Sequence, residues 1–192
     1  MIMDGNLLQR TLLKVFPTSL AKSLVEILLL FSIGLLAVAI RTRVKLDFNI
    51  PGIHGAFVMM LFMAARVASK RKIASSISGL AASAFLLLSF AGLKNPYLPL
   101  IYFLMGTGLD AMYVYTRNWI ALPKLALLVL IGGLTYMIIP VSRILIQVST
   151  GFPYPSLLKH GYLIPVLSHF LFGATGALLG AGLILSFKSR KK

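Results

Sequence analysis

The sequence predicts an all-α integral membrane protein: a six-transmembrane-helix bundle with both termini in the cytoplasm. Three observations predict it. Of the 192 residues, 58% are hydrophobic and only 12% charged, and the mean hydropathy is +0.92, which leaves too little polar surface to cover a soluble domain. Whole stretches of helix length carry no charge, so lipid must be the solvent for most of their side chains. The 19 Lys and Arg, set against four acids for a formal charge of +15, cluster at the ends of those stretches. There they fix orientation and meet anionic lipid, and no nucleic-acid partner is expected. The length allows a single membrane domain over residues 1–192 with no separate catalytic or nucleotide-binding unit. With no cysteine, disulfides and Cys-ligated zinc are excluded.

Taken in order, residues 1–17 are expected to form an interfacial N-terminal helix. GNLLQRTLLKVF sets Leu8, Leu12, Val15 and Phe16 on one face and Arg10 with Lys14 on another, and Pro17 stops it. The first span covers about residues 23–40. Its apolar core is too long for a signal peptide and cations follow at once, so it is read as retained. Further spans are expected at about 53–69, 73–93, 97–116, 124–149 and 162–187. The KRK at 70–72 closes the second and third spans into a hairpin, and Asn95-Pro96 with Pro99 starts the fourth. The connection STGFPYPSLLKHG, with prolines and an aromatic pair, reads as an ordered cap.

Placing both termini in the cytoplasm puts thirteen Lys and Arg inside and six outside, the bias expected of a correctly oriented chain. The connection RTRVKLDFNIPGIHG, residues 41–55, then faces outward and runs against that bias. Its cations, Arg43 among them, together with Asn49 and His54 beside the Pro51-Gly52 bend, suit an anionic solute or, equally, lipid headgroups. Arg143 lies about 9 Å below the outer end of the fifth span at 1.5 Å per residue, with Gln147 one turn further on the same face. His169 lies about 10 Å into the sixth span. These three can form a polar layer suited to a carboxylate or a heterocycle edge, with headgroup snorkelling or an interhelical hydrogen bond as the simpler alternatives.

Asp110 lies about 20 Å from the outer side, and Arg66 reaches a comparable depth. A structural ion pair between them is the economical expectation, and Glu26 with Lys22 is read as a second, local pair. Small residues recur at four-residue steps, Ser75, Gly79 and Ser83 on the third span and Gly173, Ala177 and Ala181, beside Gly176 and Gly180, on the sixth. Such stripes let helices approach closely, within the bundle or against another membrane subunit. No hydrolase, metalloprotease or Walker motif is present, so no enzyme activity, metal or cofactor is expected. His54, His160 and His169 make only a weak metal set.

The segment KLDFNIPGIHGAFVMMLFMAARVASKRKIASSISGL, residues 45–80, has an outward loop with a Pro-Gly bend, a helix, a basic hairpin and a small-residue helix. With six spans and cytoplasmic ends, it resembles the substrate-binding S component of an energy-coupling factor (ECF) transporter. The resemblance implies a solute pocket lined by the outer helix ends and closed by the first, third-to-fourth and fifth-to-sixth connections, the third-to-fourth carrying Asn95. It implies a small vitamin-like substrate, a prokaryotic cytoplasmic membrane, and partners that supply energy: a transmembrane coupling subunit and a pair of ABC ATPases. Many such proteins dock the coupling subunit through two alanines four apart on the first helix; Ser19 and Ser23 stand at the nearest positions here. A stand-alone proton-coupled transporter using Asp110 is the alternative expectation, and an intramembrane enzyme using the histidines is a further one.

Overall fold

The computed structural model describes residues 19–43, 50–88, 95–116 and 123–190, and among them all regular structure is helical. The helices are α1 Ser19–Arg43, α2 Gly55–Ala68, α3 Ala74–Leu87, α4 Leu98–Tyr115, α5 Lys124–Tyr136, α6 Ile138–Thr150, α7 Pro155–His160 and α8 Leu163–Ser189. Four rods are long and apolar enough to cross a membrane: α1, α4, the α5 and α6 pair as one, and α8. Helices α2 and α3 have 14 residues each, about 21 Å at 1.5 Å per residue, which is shorter than a hydrocarbon core of about 30 Å. The expected interfacial helix over residues 1–17, and Asn49, lie outside the described residues.

Two expected elements differ in extent. The third span, expected to reach residue 93, is helical to Leu87, and residues 89–94 lie outside the described set. The fifth breaks at Met137, three residues before Pro140. Proline has no N–H to donate to the Tyr136 carbonyl, so one rung of the ladder is missing, while Met137 N to Gly133 O and Val141 N to Met137 O still hold the rod together.

The outside is lined with leucines, Leu28, Leu36, Leu145, Leu163, Leu167, Leu171 and Leu183 among them, each at least half exposed. So many exposed apolar side chains suit lipid as a solvent better than water. Helix α2 sits inside: nine of its 14 residues are buried, and it packs along α8 while α3 packs on α4 and α1. The close approaches are made by glycine. Gly176 and Gly180 lie against the Ala56 and Met60 carbonyls of α2, and a Cβ on Gly79 would fall 3.1 Å from the Gly106 Cα of α4. Of the two roles expected for Gly79, Gly176 and Gly180, packing within the bundle or against another membrane subunit, the close approaches seen here are between helices of this chain.

The end of the bundle holding the α2–α3 turn is tied by charge. Arg66 Nη1 donates to Asp110 Oδ1 at 2.8 Å, both side chains being buried, and also to the Lys72 carbonyl at 3.0 Å. Ile73, at the N-cap of α3, has no side-chain acceptor. Asp110 replaces one: it accepts from the Ser75 amide at 3.1 Å and from the Ser76 amide and hydroxyl at 2.7 Å each. Glu26 pairs with Arg71 at 3.0 Å and accepts from Ser69 Oγ at 2.6 Å, which corrects the local pair expected with Lys22. Ser23 Oγ accepts from Arg71 Nη2 at 2.5 Å, so Ser23 is engaged inside the chain, whereas Ser19 is exposed at the start of α1.

Candidate functional site

Polar side chains gather toward the opposite end, where α1 and α6 finish and α2, α4 and α8 begin. Along α1 the buried positions run Glu26, Leu30, Gly34 and Ala37, a helical stripe whose next member is Arg41. Arg41 is half-buried; its Nη1 donates to the Tyr102 hydroxyl at 2.5 Å, and its guanidinium lies 5.2 Å from that ring. Arg43, two residues on and therefore on another face, is exposed. Of the two, the structure turns Arg41 inward.

On α6, the Arg143 guanidinium lies 5.7 Å from the Tyr154 ring, while its Nε is buried without a hydrogen-bond partner. Gln147, one turn further, likewise has Oε1 buried and unpartnered. Arg41 and Arg143 are within electrostatic range of one another and of Tyr102 and Tyr136. His169 on α8 is buried, stacks on Tyr136 with centroids 5.1 Å apart, and has Nδ1 2.6 Å from the Pro165 carbonyl. That bond places the proton on Nδ1 in the neutral ring and leaves the Nε2 lone pair as the acceptor.

The Pro51-Gly52 bend lies directly on this layer. Gly52 has φ +84°, and a Cβ there would fall 2.7 Å from His169 Nδ1, so both conformation and space require glycine. The Gly55 amide closes the turn on the Gly52 carbonyl at 2.7 Å. His54, in that turn, has Nδ1 buried and unpartnered. Desolvation first, and then the Arg41 charge, push its pKa below the ordinary histidine value, so it is neutral near pH 7.

The α6–α7 connection forms the remaining side. Gly151 ends α6 in the left-handed conformation at φ 71°, and Phe152 packs edge-on to both Tyr97 and Tyr154. The Tyr154 hydroxyl lies 3.5 Å from Asn95 Oδ1, which also accepts from the Tyr97 amide at 3.0 Å. Asn95 thus joins the entry of α4 to this connection. Of the residues expected in the site, His54, Asn95, Arg143, Gln147 and His169 come to one end of the bundle, Arg43 stays outside the cluster, and Asn49 lies outside the described residues. Arg41 was expected only as one of the cations of the first connection, and Tyr102, Tyr136 and Tyr154 were not expected in the site; continuation of the α1 stripe to position 41 is the signal that singles out Arg41.

Chemically, the cluster has cations, hydroxyls, an amide and imidazoles, and among the described residues no carboxylate. Nor do the described residues hold any group of three or more His, Cys, Asp or Glu able to bind a metal. Guanidiniums, hydroxyls, amides and imidazoles brought together in this way offer hydrogen-bond donors of the kind that suit an anion. Comparison with protein-family models, with curated proteins and with solved structures gives no match to this chain.

Proposed function

We propose that this chain is the solute-capture subunit of an importer of the ECF type: six membrane crossings with both ends in the cytoplasm, a small vitamin-like solute taken from outside, and delivery inward with a coupling subunit and ABC ATPases. One observation carries the reading: at one end of the bundle Arg41 is held on Tyr102 and Arg143 lies beside Tyr154, neither with a carboxylate partner among the described residues, while Arg143 Nε, Gln147 Oε1 and His54 Nδ1 are buried and unpartnered. Unpaired cations and idle donors and acceptors converging on one place are what a ligand site requires and what a packed core avoids. The positive-inside count supports placing this end outside. Asp110 already accepts four bonds, which argues against its use as a mobile proton carrier.

The test is to purify the protein in detergent, denature it and identify any released small molecule. A ligand that co-purifies with the wild type and is lost from Arg143→Ala supports capture at this site. Absence of binding across a broad panel of vitamins and related solutes overturns the proposal.

A further inference from the structure

Resting on that capture reading, we infer that the solute is a small organic dianion, a dicarboxylate or a phosphate monoester, whose two negative charges are met by Arg41 and Arg143.

The charge balance at this end of the bundle leads there. The two described acids lie at the other end, each engaged by an arginine of its own: Glu26 by Arg71 and Asp110 by Arg66. Glu26 precedes Arg41 by fifteen residues on the same helix, about 22 Å at 1.5 Å per residue. Arg41 has one hydroxyl acceptor, Tyr102, and Arg143 has an aromatic face; neither contact neutralises a charge. His54 is neutral near pH 7. Among the described residues, the two guanidiniums at this end, Arg41 on Tyr102 and Arg143 beside Tyr154, therefore carry two positive charges with no carboxylate partner. A singly charged ligand leaves one cation uncompensated, and a neutral one leaves both. A phosphodiester lipid headgroup, with a single negative charge, falls short for the same reason. Asp47, close to Arg41 in sequence, lies outside the described residues and is addressed directly in the test.

The experiment measures thermal unfolding of the full chain in detergent, titrated with sulfate, with chloride at matched ionic strength, and with a dicarboxylate beside its monoamide. The dianions should act at concentrations at least about tenfold lower than the monoanions, and Arg41→Gln and Arg143→Gln should each remove the difference. Asp47→Asn should leave it intact. Equal action of mono- and dianions on the wild type overturns the inference, and that comparison decides the matter even where a glutamine variant does not fold. A preference for dianions that appears only in Asp47→Asn overturns it, as does arginine-dependent stabilisation by phosphatidylglycerol exceeding that by sulfate. A released neutral or singly charged molecule that is lost from Arg143→Gln overturns the dianion and leaves capture standing. No released molecule and no stabilisation by any anion overturns both.

Discussion

Arg41 on α1 and Tyr102 on α4 are joined by a 2.5 Å bond from guanidinium to hydroxyl, although the main packing partner of both helices is α3. Tyr102 is fully buried, so one residue serves the apolar core with its ring and the polar end with its oxygen. The bond holds Arg41 on the inward face of α1 at the point where the helix ends.

Tyr102→Phe keeps the ring and removes that acceptor. Hydrogen bonds to charged groups contribute about 1.5–3 kcal/mol, so anion binding should weaken by about tenfold or more while helical content by circular dichroism stays unchanged. An unaltered dissociation constant would show that Arg41 is placed by something other than Tyr102.

Asp110→Ala strands Arg66 and uncovers the first turn of α3. Breaking a buried pair costs about 3–5 kcal/mol, which should appear as a lower unfolding midpoint and reduced yield. Arg66→Met combined with Asp110→Leu should recover part of the loss, since no lone charge remains. Asp110→Asn that folds normally yet loses all transport would favour proton coupling instead.

Gly176→Leu inserts a side chain against the α2 backbone and should destabilise the protein by about 1–3 kcal/mol or more. Gly182→Leu, on the same helix but with nothing within 4 Å of an added Cβ, should change stability by no more than about 0.5 kcal/mol. Similar unfolding midpoints for the two variants would contradict the close packing of α8 on α2.

The chain contains no cysteine, so single thiols report sidedness without background. Ile50→Cys should react with a membrane-impermeant maleimide from outside and Lys72→Cys only after the inner face is opened. The reverse pattern would place the arginine end in the cytoplasm and remove the case for import.

Helix positions and the depth of charges were legible in the sequence because both follow from counting along a rod. That is why Asp110 and Arg66 could be set at one level. Partners distant along the chain were not. Glu26 reaches Arg71, 45 residues away, across a turn that local spacing favoured closing with Lys22. The choice between Arg41 and Arg43 depended on the phase of α1, which becomes readable only once its buried stripe is followed to the last turn. Tyr102 and Tyr136 gave no sign, since an aromatic ring in an apolar helix looks like core until its neighbours are known. The break at Met137 was written in Pro140, but a proline rung can be lost from a rod that still runs on.

The carboxylate that begins α3 belongs to α4, Asp110 lying 35 positions after Ser75. While the chain is being made, α3 therefore emerges without its own start and stays incomplete until the next helix has arrived. Biogenesis of this half of the molecule is a two-helix event, and truncation before residue 110 should yield a third helix that frays from its first turn and is readily degraded.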